Sequence, residues 1–217
     1  MCREYTEGGI IQSHLVGIID YGAGNIGSIT NALNYLQIDN KLIRSPEDLE
    51  AYSKVILPGV GSFKSAMKLL QDRKLDNAIK EFVSVPSNKL LGICLGMQLL
   101  YDSSEEDGGY PGLGLIKGGV TRLSDTNGLK VPNVGWRAVR RNQEGGLYQN
   151  IDSDLVFYFV HSYACRTEER SIITGTADHN GDFSCSIEQK NIFAVQFHPE
   201  KSQKCGLKLL SNFSDLP

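Results

Sequence analysis

The sequence predicts an α/β protein in which a mostly parallel central sheet is flanked by helices and the second half is rich in strands. In the first half, short apolar segments alternate with segments of helical periodicity, which is typical of a parallel sheet covered on both faces. In the second half, candidate strands follow one another with little helix between them. Because no repeat or low-complexity linker interrupts the chain, we expect one domain, residues 16–217, preceded by an N-terminal extension, residues 1–15.

Each element is assigned from an apolar run or from helical spacing of apolar residues. In the first half, the predicted strands are residues 15–20, 41–43, 55–57 and 90–93, and the predicted helices are residues 26–36, 63–70, 75–83 and 95–101. In the second half, the predicted strands are residues 119–123, 134–140, 156–160, 172–177, 184–187 and 193–196, and a last helix covers residues 205–213.

Composition excludes several classes of function. The net charge is −3 with both signs interspersed, so we expect no nucleic-acid partner. No apolar run approaches the roughly 20 residues needed to span a bilayer, so we expect no membrane association. The 5 cysteines are widely spaced and form no CxxC pair, which argues against a disulfide framework or a metal site and favours a cytoplasmic location.

A glycine-rich turn at residues 22–27 matches the GxGxxG pattern of dinucleotide-binding proteins. Asp20 would place a carboxylate near a bound pyrophosphate, where like charges repel. The second strand ends in Arg44 and offers no acid to hold a ribose. We therefore interpret this segment as a tight strand-to-helix turn and expect no cofactor there.

A stronger motif is the G-x-C-x-G segment at residues 92–96, between an apolar strand and a helix. It has the form of a nucleophile elbow with Cys94 as the nucleophile. The flanking glycines allow a sharp turn, and the N-terminus of the following helix favours a thiolate. The alternative is a buried cysteine in a glycine-bounded turn.

A nucleophilic cysteine needs a base and a group that orients the base. Of the 4 histidines, His198 is the best candidate, because a buried strand delivers it next to Pro199. Residues i and i+2 of an extended segment share a face, so Glu200 could hold the imidazole. The alternative is an ordinary surface turn. Oxyanion donors are expected from the backbone N–H of Leu95 and from the loop at residues 58–61.

Taken together, these segments resemble the triad-type, class I glutamine amidotransferases, whose fold is flavodoxin-like. More narrowly, they resemble the glutaminase subunits of imidazole glycerol phosphate synthases. The resemblance runs from about residue 16 to residue 213 and rests on residues 21–25, 57–61, 92–98, 134–136, 158–163 and 196–201.

The resemblance implies that Cys94, His198 and Glu200 form a catalytic triad that releases ammonia from glutamine. It also implies substrate contacts from Gln98, Glu106, Ser162, Tyr163, Gly59 and Gly61, and oxyanion donors at Leu95 and Val60. No metal or other cofactor is implied. Ammonia would pass to a (β/α)8-barrel cyclase subunit that makes imidazole glycerol phosphate in histidine biosynthesis. The heterodimer face would include Asn25, Trp136, Tyr158 and Lys201.

One segment departs from the family pattern, which reads Met-Gly-Trp-Asn after Pro and His or Gln. Here residues 132–137 read Pro-Asn-Val-Gly-Trp-Arg. A paralogous glutaminase that feeds a synthase in surface-sugar biosynthesis therefore stays open as an alternative. Two more distant alternatives are a dinucleotide-binding oxidoreductase and an inactive, amidotransferase-like binding module.

Overall fold

The computed structural model describes residues 15–126, 130–143, 146–151 and 155–217. Of the expected N-terminal extension, residues 1–14 lie outside the described residues. The helices are α1 (Ile26–Tyr35), α2 (Phe63–Asp72), α3 (Leu75–Ser84), α4 (Leu95–Leu99) and α5 (Gln203–Asp215). The strands are β1 (Val16–Ile19), β2 (Asn40–Ile43), β3 (Lys54–Leu57), β4 (Lys89–Ile93), β5 (Tyr101–Ser104), β6 (Tyr110–Pro111), β7 (Ile116–Arg122), β8 (Asn133–Ala138), β9 (Arg140–Arg141), β10 (Val156–His161), β11 (Tyr163–Thr167), β12 (Ile173–Asp178), β13 (Asp182–Gln189) and β14 (Ile192–Val195).

The main sheet has the order β2-β1-β3-β4-β14-β13-β11-β7-β5-β6, with β12 and β9 attached beside β13. The strands from β2 to β14 in this order are parallel, and those from β14 to β7 pair antiparallel. The parallel half comes from the alternating part of the sequence, together with β14 from its end. This architecture confirms the predicted α/β class with a strand-rich second half.

Strands β4 and β14 lie side by side although they are far apart in the sequence. Their register pairs Ile93 with Val195, and the Cys94 N–H donates to the Val195 carbonyl over 2.8 Å. Since both strands are parallel, their carboxyl ends meet at one edge of the sheet, where ligand sites form in open α/β sheets. The residues that follow β4 and β14 are therefore brought together.

Two apolar cores cover the two faces of the main sheet. On one face, α1 buries Ile29 and Leu33 on its inner side. On the other face, α2 buries Phe63 and Leu70, and its N-terminus is capped by Ser62, whose hydroxyl accepts from the Ser65 N–H. Both helices carry apolar residues at helical spacing, which is why the sequence predicted them.

Two features of the structure differ clearly from the sequence prediction. The predicted helix 95–101 ends at Leu99, and Tyr101 begins β5, where its hydroxyl lies 2.7 Å from the Thr167 hydroxyl. Strand β11 was not predicted. Aspartate and serine in β5 disfavour a strand locally, so the pairing with β7 decides its conformation.

Strands β8 and β10 form a separate two-stranded antiparallel sheet. Its outer surface exposes Val134, Trp136 and Val160. None of the helices in the described ranges is both long enough and apolar enough to cross a bilayer.

Candidate active site

The elbow places Cys94 in a strained backbone conformation between β4 and α4. Its φ is 56° and its ψ is −111°, a region that non-glycine residues rarely occupy. A Cβ on Gly96 would collide with the Leu57 carbonyl oxygen, and one on Gly92 would lie 3.0 Å from the Met97 backbone. Both glycines are therefore required for the turn that presents the thiol.

His198 follows β14, and its Nδ1 lies 2.8 Å from Glu200 Oε1. Both side chains are buried, with exposures of 3% and 0%. The sequence argument expected an extended His-x-Glu segment, and this is wrong: residues Pro199–Lys201 form a 3-10 turn. The turn folds the Glu200 side chain back onto the imidazole, so the expected contact forms through a turn and not through an extended segment.

The His198 imidazole lies between two groups that favour its charged form. Burial alone would lower the pKa of His198, but the nearby Cys94 sulfur and the hydrogen-bonded Glu200 carboxylate outweigh burial and raise the pKa above its ordinary value. Nε2 is buried and has no hydrogen bond of normal geometry within the described ranges. A cysteine and a histidine held in this way can exist as a thiolate–imidazolium ion pair.

A cavity of about 350 Å³ opens over Cys94 and His198. The residues that line it are Val60, Gly61, Cys94, Leu95, Gln98, Glu106, Pro132, Val160, His161, Ser162, Tyr163 and His198. The set includes most of the residues predicted for the site. Gly59 is not among the lining residues; a Cβ there would lie 2.8 Å from Leu95 Cβ and 2.8 Å from the Tyr21 hydroxyl, so its place is one of close packing.

Two predicted substrate-binding side chains are fixed by hydrogen bonds. Gln98 Nε2 donates to the Tyr163 carbonyl over 3.0 Å and to Gln196 Oε1 over 3.0 Å. Glu106 Oε2 accepts from the Phe63 N–H, at the N-terminus of α2, over 2.7 Å. Cavity walls that are already ordered lose little conformational entropy when a ligand binds.

The predicted oxyanion donors lie on two sides of the thiol. Leu95 is the first residue of α4, where N–H groups have no partner within the helix. On the other side, Val60 precedes Gly61, whose φ of 96° suits glycine. The Tyr21 hydroxyl donates to the Pro58 carbonyl over 3.0 Å and anchors the start of this loop.

A family model for class I glutamine amidotransferases matches residues 17–215. The chain belongs to this family. A relative from Moorella thermoacetica, named imidazole glycerol phosphate synthase subunit HisH, is 46% identical over 93% of this chain and 94% of its own length. The relative of the same name from Chlorobaculum tepidum is 42% identical, over 93% of this chain and 100% of its own length. Within the amidotransferases, the chain therefore belongs to the family of HisH subunits.

Solved structures give the same fold. A crystal structure of a glutamine amidotransferase superposes with a TM-score of 0.70 at 22% identity, covering 91% of this chain and 96% of the other. The structure of PurLQS from Thermotoga maritima gives a TM-score of 0.72 at 16% identity, covering 92% of this chain and 96% of the other. These likenesses confirm the predicted amidotransferase fold.

Two buried residues of this amidotransferase site were missed from the sequence. His161 lines the cavity, and its Nδ1 lies 2.8 Å from the Tyr163 carbonyl oxygen. Gln196 lies behind the nucleophile, with its Nε2 3.8 Å from Cys94 Sγ. Both residues lie inside segments that carry the family resemblance, and this position could have indicated from the sequence that they belong to the site.

Three of the residues predicted for a partner interface lie together. The rings of Trp136 and Tyr158 meet edge to face at 6.0 Å, and Lys201 Nζ lies 5.9 Å from the centre of the Tyr158 ring. Asn25 stands separately, just before α1, which packs beside the turn that contains Lys201. This surface is continuous with the exposed side chains of β8 and β10.

The glycine turn at residues 22–27 has a packing role in this fold. A Cβ on Gly24 would lie 3.2 Å from Pro58 Cγ, so the turn packs closely against the loop that carries Val60. Asp20 accepts from Arg44 Nε over 2.9 Å, and its carbonyl accepts from Arg73. Within the described residues, no group of three or more histidine, cysteine, aspartate or glutamate side chains could hold a metal ion.

Proposed function

We propose that this chain is the glutaminase subunit of an imidazole glycerol phosphate synthase, which hydrolyses glutamine to glutamate and ammonia. The observation that supports this most directly is the placement of Cys94 on a strained elbow beside the paired His198 and Glu200, at the floor of a cavity of about 350 Å³. Relatives at 42–46% identity over almost their full length carry the corresponding name.

The chemistry follows from the positions of three side chains. The Cys94 thiolate attacks the carboxamide carbon of glutamine, and the carbonyl oxygen becomes an oxyanion. His198 gives its proton to the nitrogen that leaves as ammonia, so a thioester remains on Cys94. The neutral imidazole then takes a proton from water, whose oxygen attacks the thioester and releases glutamate and the thiolate. Glu200 keeps Nδ1 protonated and the ring oriented throughout.

The remaining cavity residues bind the substrate. Gln98 and Glu106 hold the amino-acid end of glutamine, while the segment of Ser162 and Tyr163, with Gly61, supplies backbone contacts. The N–H groups of Leu95 and Val60 stabilise the oxyanion. Gly59 contributes by permitting the close approach of its loop to the elbow. One missing oxyanion donor costs roughly 10²–10³ in rate, so the conformation of the Val60 peptide controls turnover.

The partner is a (β/α)8-barrel cyclase subunit that binds the face carrying Trp136, Tyr158, Lys201 and Asn25. Exposed apolar side chains at Val134 and Val160 extend this face beside the cavity. Tryptophan and tyrosine side chains are enriched among the residues that anchor protein interfaces. Ammonia released beside such an interface enters the partner before water protonates it. We place the heterodimer in the cytoplasm.

The acceptor for the ammonia is the nucleotide from which the cyclase makes imidazole glycerol phosphate for histidine biosynthesis. The names of the relatives support this acceptor over one in a surface-sugar pathway. Two of the residues that depart from the family pattern, Asn133 and Arg137, have defined contacts in the structure. Asn133 is buried behind His161, and Arg137 Nη1 donates to the Trp136 carbonyl over 3.0 Å.

The test is glutamate release from glutamine by the purified chain, alone and with a barrel cyclase subunit and its nucleotide. We expect turnover in the complex, with imidazole glycerol phosphate formed in equal amount. If glutamate is released but the histidine-pathway nucleotide gives no product, the glutaminase assignment stands and the proposed acceptor is rejected. Absence of glutamine turnover with every cyclase partner would reject the proposed function.

A further inference from the structure

Buried polar side chains connect strand β8 to the cavity. Asn133 Nδ2 lies 3.0 Å from His161 Nε2, and His161 Nδ1 lies 2.8 Å from the Tyr163 carbonyl oxygen. Gln98 Nε2 donates to that same carbonyl oxygen over 3.0 Å. A backbone carbonyl can only accept hydrogen bonds, so both atoms that face it must carry hydrogen. The carbonyl therefore fixes the tautomer of His161 and the orientation of the Gln98 amide.

The orientation of a second amide follows from the first. Gln98 directs Nε2 towards Gln196 as well, at 3.0 Å, so Gln196 must present its acceptor, Oε1, to Gln98. Its other terminal atom, Nε2, then faces Cys94 Sγ at 3.8 Å. Gln196 is fully buried, and reversing its amide would place two oxygen lone pairs against the sulfur and an N–H against an N–H.

We propose that Gln196 is a catalytic residue whose side-chain N–H donates to the Cys94 thiolate, and that His161 is a positioning residue which imposes this orientation through the Tyr163 carbonyl and Gln98. The proposal rests on the proposed function in one respect, since glutaminase chemistry requires the thiolate. It assigns to the buried amide a role that the Cys-His-Glu triad does not provide.

The physical basis is a hydrogen bond to a charged acceptor in a buried site. Such bonds are about twice as strong as neutral ones, and a low local dielectric increases their strength. Catalytic hydrogen bonds are often long in the absence of substrate and shorten when it binds. Gln196 thus stabilises the sulfur in addition to His198.

His161 is suited to its position because it stays neutral. Burial lowers its pKa to about 4, so near neutral pH one ring nitrogen donates and the other accepts. Since Nδ1 donates to Tyr163, Nε2 accepts from Asn133. A neutral ring adds no positive charge that would compete with the imidazolium of His198.

The first experiment measures alkylation of Cys94 by iodoacetamide at pH 7, followed by mass spectrometry of the Cys94 peptide in the full chain. Gln196→Glu keeps the size of the side chain but directs a carboxylate oxygen at the sulfur, so we expect alkylation to slow by more than roughly tenfold. Gln196→Met removes the N–H without adding charge, and we expect a smaller loss of roughly threefold to tenfold. Thermal unfolding midpoints identify a variant that fails to fold.

The second experiment tests the positioning role by comparing His161→Leu with His161→Asn, which have nearly the same shape. Asparagine can replace the Nδ1–H donor to Tyr163, whereas leucine cannot. We expect His161→Leu to slow alkylation severalfold and His161→Asn to restore most of the rate. His179→Leu is the matched control, because His179 is also buried but has no hydrogen-bond partner for its ring within the described ranges; its alkylation rate should equal that of the parent chain.

The proposal about Gln196 is overturned if Gln196→Met, folded as the parent, is alkylated at Cys94 within about twofold of the parent rate. If Gln196→Glu also folds as the parent does, alkylation of its Cys94 within about twofold of the parent rate likewise overturns the proposal. The proposal about His161 is overturned if the leucine and asparagine variants behave alike. Alkylation needs no glutamine and no partner, so these results stand apart from a failure of the proposed glutaminase function, which only the turnover assay reports.

Discussion

His198 Nδ1 and Glu200 Oε1 are joined by a hydrogen bond of 2.8 Å across a 3-10 turn that begins at Pro199. The carboxylate is inaccessible to solvent, and the imidazole nearly so. Since the turn is short and closed by the Ser202 N–H, which donates to the Pro199 carbonyl over 3.0 Å, the ring has little freedom to rotate. The orientation of the base is thus set by local backbone geometry as well as by the hydrogen bond.

Replacing the nucleophile should separate the two sources of ammonia. We expect Cys94→Ala to reduce glutamine-dependent synthesis by several orders of magnitude, because no other group can form the thioester. Synthesis from added ammonium salt by the complex should be retained, since the cyclase site is untouched. Both rates are measured with the same heterodimer preparation, and substantial glutamine turnover by the variant would contradict the assignment of Cys94.

In the proposed mechanism Glu200 orients the base and does not react, so its loss should cost less. Both substitutions should lower kcat, and we expect the loss for Glu200→Gln to be at least roughly tenfold smaller than the loss for Cys94→Ala. Orienting groups usually cost less than nucleophiles. KM for glutamine should change little, because Glu200 does not line the cavity. Equal losses for the two variants in steady-state assays would show that its role is wrongly assigned.

His161 should make folding stability depend on pH in the acid range. Its pKa is lowered to about 4 by burial, whereas an unfolded histidine titrates near 6.5. Between these values the unfolded chain binds the proton that the folded chain excludes, so stability falls as pH decreases, by on the order of 3 kcal/mol in full. His198, with a raised pKa, acts in the opposite sense and loses its contribution as pH rises above about 6.5.

The measurement for His161 is urea unfolding of the parent chain and His161→Asn between pH 7 and pH 4. The variant should lose the part of the acid dependence that comes from this residue. Parallel curves for the two chains across that range would refute the prediction.

The lysine beside the triad should contribute to binding of the cyclase. We expect Lys201→Ala to weaken the heterodimer roughly twofold to tenfold and to lower the stimulation of glutamine turnover by the nucleotide-bound partner. Lys204→Ala, at another exposed lysine nearby on α5, is the control. Titration calorimetry and turnover assays that show no change in either property would remove Lys201 from the interface.

We also expect the chain without partner to hydrolyse glutamine much more slowly than the complex does. Equal rates of glutamine turnover would contradict activation by docking.

The glycine turn should bind neither NAD nor NADP. The turn packs closely on Pro58, and Arg44 follows β2 at the position where a dinucleotide site needs an acid to hold the ribose. Titration calorimetry with each nucleotide should show no saturable heat, and micromolar binding of either would reopen the assignment of this motif.

The three residues of the candidate triad could be selected from the sequence because each stands in a local pattern with its own chemistry. Cys94 is marked by its flanking glycines, and His198 by the strand before it and by Glu200 two positions later. His161 and Gln196 have no such local mark. Their roles depend on which strands pair, as β8 places Asn133 opposite His161 and β14 places Gln196 next to the elbow. Sequence periodicity predicts a strand but not its neighbours, so contacts of this kind need the structure.

The insertion of β14 between β4 and β13 has a consequence for biosynthesis of the chain. Cys94 belongs to the first half of the polypeptide, while His198 follows the last strand, β14. Pairing over such a sequence separation is slow and comes late in folding, and a ribosome exposes the N-terminal half first. A nascent chain therefore presents the Cys94 thiol before the His198 imidazole, and the two side chains come together only after β14 has paired with β4.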